Sequence, residues 1–153
     1  MMSFYFIDDD KNITNILKLI VNTRGLGVCC GSAENAAEAL ADLPVMRPDI
    51  VLVDFLMPEM DGISFIKQAK KILPDAAYIM LSQVASKDMI ASAYEAGVEF
   101  FIQKPINSVE VESIIRKVSD GLSMKRMVQQ MHNIFTPDTN KSSVSKSANE
   151  QQI

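Results

Sequence analysis

The chain has 153 residues, 48% hydrophobic and 22% charged, with a formal net charge of −4. That length fits one domain with room for an appendage, and the apolar share is enough to bury a core. The acidic balance argues against a broad nucleic-acid footprint in this chain, and no apolar run approaches the ~20 residues of a membrane-spanning helix. The start, "MMSFYFI", has no positive region and meets three Asp at once, unlike a secretory signal. Cys29 and Cys30 are adjacent, poorly placed to bridge each other, and read as small buried residues. Two thiols without a signal fit a reducing, cytoplasmic setting.

Taken in chain order, short apolar runs alternate with helical patterns. Phe4–Ile7 ("FYFI") predicts a strand that ends on Asp8, Asp9 and Asp10. Asp10 stands as the N-cap of a helix over Asn12–Thr23, where Ile13, Ile16, Leu17 and Ile20 recur at helical spacing. Val28–Cys30 gives a second strand, followed by the uncharged Gly31, Ser32 and Ala33. A helix over Ala36–Leu43 stops at Pro44. Ile50–Val53 ("IVLV") is a third strand running into Asp54, then Phe55, Leu56, a proline and an Asp-Gly turn at Asp61 and Gly62. A helix follows over Ile63–Leu73. Ala77–Leu81 ("AYIML") is a fourth strand ending at Ser82, and a helix covers Met89–Ala96. Phe100–Ile102 is a fifth strand leading to Lys104 and Pro105, and Val109–Val118 is the last helix of the set.

Continuous apolar runs, rather than alternating ones, mark strands buried on both faces. Five of them alternating with five helices predict an α/β fold with a parallel sheet covered on both sides. In such a sheet ligands gather beyond the carboxyl ends of the strands. Four of the five strands deliver a polar group to that edge: the acid pair Asp8 and Asp9, then Asp54, Ser82 and Lys104. Two like charges 4 Å apart repel by about 1 kcal/mol in water and about 4 kcal/mol near a partly buried site. Three carboxylates therefore call for protons or a cation, and an all-oxygen set with room for water suits Mg²⁺. Lys104 offers a point charge for phosphoryl oxygens and Ser82 a hydroxyl donor. Asp54 is the candidate nucleophile, since an Asp carboxylate can form an aspartyl-phosphate.

With "FIDDD", "VLVDFLMPEMDG", "IMLS" and "GVEFFIQKP" in this order and spacing, the chain resembles a response-regulator receiver domain of a two-component system over about residues 3–118. The resemblance implies a flavodoxin-like doubly wound five-stranded sheet of order 2-1-3-4-5 with five helices. It implies Asp54 as phosphoacceptor, Ser82 and Phe101 as switch residues, and a cis peptide at Lys104–Pro105. It implies Mg²⁺ held by Asp9, Asp54 and the backbone carbonyl of Leu56, with Asp8 acting mostly through water. It implies a sensor histidine kinase as partner and no turnover of an external substrate. Two positions depart from the commoner pattern: Leu56 and Val84 are apolar where polar side chains often position a hydrolytic water, which predicts slow self-dephosphorylation. Gln83 replaces the small residue more usual after the switch hydroxyl.

Other classes fit less well. A pseudo-receiver that keeps the fold as an interaction module would not need the full acid set, Ser82 and Lys104. A flavin-binding relative wants a Ser/Thr-rich phosphate loop after the first strand, where three Asp stand. A haloacid-type phosphatase wants an Asp-x-Asp pair, and Asp54 is followed by Phe55 and Leu56. Alone, Asp8 and Asp9 would read as a solvated turn, Lys104 as a surface lysine and Phe101 as a core aromatic. Their combination carries the functional reading.

Beyond the receiver at residues 1–118, Val111, Ile115, Val118 and Leu122 run at heptad-like spacing, and Met124, Met127, Val128, Met131 and Phe135 continue an apolar stripe. The last helix is expected to extend through residues 119–135, past a possible kink at Gly121, and to pair with a second copy. Residues 136–153 turn polar, like a linker. An output domain is expected beyond it, most often that of a transcription regulator, with DNA reached only through that domain. His132 is assigned no role.

Overall fold

A computed structural model of the protein describes residues 1–135. Its elements are β1 (Ser3–Ile7), α1 (Lys11–Thr23), β2 (Val28–Ala33), α2 (Ala36–Met46), β3 (Ile50–Asp54), α3 (Gly62–Ile72), β4 (Ala77–Ser82), α4 (Lys87–Ala96), β5 (Phe100–Gln103) and α5 (Ser108–Phe135). The five strands form one parallel sheet in the order β2-β1-β3-β4-β5, as the resemblance implies. Every residue of β3 and β4 is buried, which explains their unbroken apolar runs. On one face of the sheet, Tyr5, Ile7, Val51, Val53, Tyr78 and Met80 pack into a core with Phe65, Ile66 and Ala69 of α3 and Leu43 of α2.

Caps set the helix starts. The Asp10 carboxylate accepts from the Asn12 N–H, Asn35 from Glu38, Asp61 from Ser64 and Ser86 from Met89. Each satisfies a donor that the first helical turn leaves open. The peptide between Lys104 and Pro105 is cis.

Three sequence expectations need correction. β2 does not stop at Cys30: Gly31, Ser32 and Ala33 pair with Tyr5, Phe6 and Ile7, after a register irregularity between Phe4 and Tyr5. An edge strand half open to solvent tolerates small polar residues, and Gly31 is needed for space. A Cβ there would lie 2.6 Å from the Met46 sulfur and 3.0 Å from the Tyr5 ring. The residue that follows β2 at the sheet edge is therefore Glu34, which pairs with Lys11 at 3.3 Å. Helix α2 also runs through Pro44 to Met46, because the proline falls in the last turn. There the missing N–H leaves one bond unmade, and the Arg47 N–H still closes on the Leu43 carbonyl at 2.9 Å. Finally, Asp61 and Gly62 are not a turn but the cap and first residue of α3, while the left-handed conformation falls on Glu59 at φ +71°.

The chain divides into two units, Met1–Ser119 and Asp120–Ile153. In the first, Val111, Ile115 and Val118 of α5 are buried. In the second, residues 120–135 belong to α5, which passes Gly121 without interruption, and residues 136–153 lie outside the described residues.

Candidate functional site

The carboxyl ends of β1, β3, β4 and the segment after β5 meet at one edge of the sheet. They line a cavity of about 460 Å³ with Asp8, Asp9, Asp10, Asp54, Leu56, Met57, Pro58, Ser82, Gln83, Val84 and Lys104. Of the predicted site residues only Phe101 is outside it. Its half-buried ring packs against the core cluster two residues before the β5 end.

Backbone bonds fix where each side chain begins. The Asp8 N–H donates to the Ala33 carbonyl at 3.1 Å, and the Phe55 N–H donates to the Leu81 carbonyl at 2.8 Å, so the sheet ladder holds the bases of Asp8 and Asp54. The Lys104 N–H donates to the Ser82 carbonyl at 2.8 Å, tying the lysine to the end of β4. The loop after Asp54 folds back, with the Gly62 N–H donating to the Phe55 carbonyl at 2.7 Å. A Cβ at Gly62 would stand 2.6 Å from the Asp54 carbonyl oxygen, so only glycine permits this approach.

Asp8 and Asp54 are buried and Asp9 is exposed, and one carboxylate oxygen from each lies within 4.8 Å of the others. The Lys104 ammonium donates to Asp8 Oδ2 at 2.8 Å and lies 3.3 Å from Asp54 Oδ1. Burial pushes the Asp54 carboxyl up to about 6; Asp8 adds to the rise and Lys104 opposes it. Burial alone would lower Lys104, but its bonds to Asp8 and Asp54 win and hold it above its ordinary value. One cation thus faces three carboxylates, and burial plus Asp8 outweigh it at Asp54. A hard divalent cation suits such a cluster: all-oxygen donors, one of them exposed, beside an open cavity.

Ser82 is buried, and its Oγ accepts the Val84 N–H at 3.0 Å. Leu56 and Val84 at the mouth are 68% and 49% exposed, so the rim is apolar while the floor is charged. Sequence reasoning had not singled out Met57 or Pro58 as lining residues. Nothing in an apolar residue's type announces that it walls a site; only the loop path does. It also missed a bond beneath the sheet: the Tyr5 hydroxyl donates to Asp42 Oδ2 at 2.6 Å.

Fold and edge together define a class: a doubly wound α/β domain whose acidic pocket lies at the carboxyl ends of its strands. Within that class the chain belongs to the response regulator receiver domain family, whose profile matches residues 4–116. It is 38% identical to chemotaxis protein CheY of Thermotoga maritima, over 74% of this chain and 93% of that protein. It is 34% identical to the transcriptional regulatory protein GlnL of Bacillus subtilis over 83% of this chain, and 31% identical to the DNA-binding transcriptional regulator NtrC of Escherichia coli over 85%. The matched part is 40% of GlnL and 27% of NtrC. Among solved structures, a CheY-like receiver domain from Methanospirillum hungatei superposes with a TM-score of 0.76 at 26% identity, covering 82% of this chain and 98% of that one. The chain is therefore a receiver domain of the two-component response regulators. No helix among the described residues is long and apolar enough to cross a membrane.

Proposed function

We propose that this receiver is a phosphorylation-dependent switch that takes a phosphoryl group from a sensor histidine kinase onto Asp54. The observation that carries the reading is the grouping of Asp54 with Asp8, Asp9 and Lys104 beside the buried Ser82 hydroxyl in one open cavity. An Asp54 carboxylate oxygen attacks phosphorus as the bond from phosphorus to the donor's leaving group breaks. Asp8, Asp9, Asp54 and the Leu56 carbonyl are the residues to hold Mg²⁺, which would offset the repulsion between the carboxylates and the incoming phosphoryl oxygens. Lys104 then pairs with a phosphoryl oxygen in place of Asp54, and Ser82 releases the Val84 N–H to donate its own hydroxyl hydrogen to another. The half-buried Phe101 ring repacks with that movement, which biases the surface of α4, β5 and α5 between two states. No external substrate is turned over.

The proposed organisation is a receiver at residues 1–118, a helical extension at 119–135 that pairs with a second copy, and a linker at 136–153. The names of GlnL and NtrC favour an output domain that regulates transcription, with DNA contacted through that domain alone. Intact mass after incubation with acetyl phosphate and Mg²⁺ tests the switch. One phosphoryl adduct is expected, lost in Asp54→Asn and lost without Mg²⁺. A folded protein that binds Mg²⁺ but takes no adduct would instead be a pseudo-receiver acting by interaction alone.

A further inference from the structure

Asp8 also lines a second cavity, of about 160 Å³, between α1, the end of β2 and the start of α2. Lys11, Thr14 and Lys18 reach it from α1, at i, i+3 and i+7 on one face of that helix. Ser32 and Ala33 line it from β2, and Glu38 from α2. Most of the charge around it is already committed. Asp8 accepts the Lys104 ammonium at 2.8 Å and the Asp10 N–H at 2.9 Å, and Lys11 pairs with Glu34 at 3.3 Å. Two opposite charges are left. Lys18 is half-buried and has no ion-pair partner among the described residues. Glu38 engages one carboxylate oxygen, which accepts the Glu34 N–H at 3.2 Å. The buried Thr14 hydroxyl donates its hydrogen to the Lys11 carbonyl at 3.1 Å, so its oxygen keeps lone pairs for an incoming donor.

We propose that this cavity binds a small zwitterion, a free α-amino acid with a short side chain. Its carboxylate pairs with Lys18, and its ammonium pairs with Glu38 and the Thr14 oxygen. The uncommitted charges sum to zero, which selects against simpler ligands. An anion alone would face Glu38 unpaired, and an amine alone would face Lys18. Size sets the upper limit. An engineered cavity of about 150 Å³ takes benzene, a molecule of about six non-hydrogen atoms, and alanine is of that size. The polar walls exclude an apolar guest, because it would strip water from Lys18 and Glu38 without replacing its bonds. Asp8 lines this cavity and the Asp54 cavity alike, so an occupant here changes the surroundings of the phosphoacceptor. That coupling rests on the switch proposed above; the binding itself does not.

Amide-shift titration of the ¹⁵N-labelled full chain with L-alanine tests the binding. Saturable shifts are expected at Lys18, Ser32, Ala33 and Glu38, with a Kd of about 1 mM. Acetate and methylamine, each half of the ligand, should bind about tenfold more weakly or worse. Lys18→Met, which keeps the apolar stem, and Glu38→Gln, which keeps the acceptor for Glu34, should each weaken L-alanine about tenfold. Lys67→Met on α3, outside the cavity, should leave the Kd unchanged. Absence of saturable shifts at these residues overturns the proposal, as does acetate binding as tightly as L-alanine, or a Kd unmoved in both charge variants. Saturating L-alanine should also change the rate of acetyl phosphate labelling, read by mass, about twofold or more; an unchanged rate overturns the coupling. No adduct with or without L-alanine would strike at the switch instead, and the shifts would still decide the binding.

Discussion

Asp54→Asn should stabilise this domain when no divalent cation is present. The Asp54 carboxyl is raised from 3.8 to about 6, first by burial and then by Asp8. At 1.36 kcal/mol per pKa unit, the ionised form is about 3 kcal/mol less favourable in the folded chain than in the unfolded one. The sign follows from linkage. Below pH about 4 both states hold the proton and the group is neutral in its effect. Between about 4 and 6 the unfolded state ionises first, and above 6 the folded state bears the full penalty. Stability from this group therefore falls as pH rises from about 4 to 6. Asn has the same shape and no charge, and the penalty is already net of the Lys104 ammonium 3.3 Å away, which opposes the rise. Asn should therefore recover up to about 3 kcal/mol, or roughly 5–10 °C in Tm for a domain of this size. Thermal melts in chelator should show that gain at pH about 7.5 and its disappearance at pH about 4. Added Mg²⁺ should raise the wild-type Tm and not the variant's, because ligand binding to the native state adds to stability only where the site survives. A variant that melts below the wild type at neutral pH in chelator would refute the electrostatic argument, as would a gain independent of pH.

Three further outcomes follow from particular contacts. Leu56→Asn combined with Val84→Glu should shorten the half-life of the phosphorylated protein about tenfold or more, because both apolar side chains stand at the mouth of the cavity where an attacking water must be held. Protein-bound against released phosphate counted over time decides it, and an unchanged half-life sinks the idea. Tyr5→Phe removes the hydroxyl that donates to Asp42 at 2.6 Å and should lower stability by about 1–2 kcal/mol in urea unfolding, with an unchanged m-value. Gly62→Ala places a Cβ against the Asp54 carbonyl and should slow acetyl phosphate labelling as well as lower the Tm; normal labelling would mean the loop yields freely.

The parallel sheet was legible because burial on both faces erases alternation, its strand order only through the resemblance, and the polar edge because buried strands run out on Asp8, Asp54 and Ser82. What escaped the sequence has physical reasons. β2 continues through Gly31, Ser32 and Ala33 because an edge strand needs a partner more than it needs apolar residues, and its ladder to Tyr5–Ile7 supplies one. Pro44 stays helical because its missing donor falls in the last turn. The Asp61–Gly62 pair reads equally as a turn or as a helix cap, and the return of the loop onto Phe55 decides between them. The position of Phe101 was legible, while its ring conformation depends on packing that no local pattern encodes.

The stability penalty at Asp54 also indicates which parts of the domain can respond to phosphorylation. A close-packed interior resists small displacements, so a new charge at the edge cannot be absorbed by β3 or β4, which are buried throughout. The freedom lies in the segments that leave those strands. Leu56, Pro58 and Glu59 are exposed after β3, with Glu59 in the left-handed region, and Gln83 and Val84 are exposed after β4. Lys104 bridges Asp8 and Asp54, and a phosphoryl group on Asp54 would compete for that ammonium. The backbone that carries this lysine is tied to the end of β4 by one bond, the Lys104 N–H to the Ser82 carbonyl. That bond ties the segment after β5 to the end of β4, so a displacement at either one is expected to reach the segments leading into α4 and α5 before the far edge at β2.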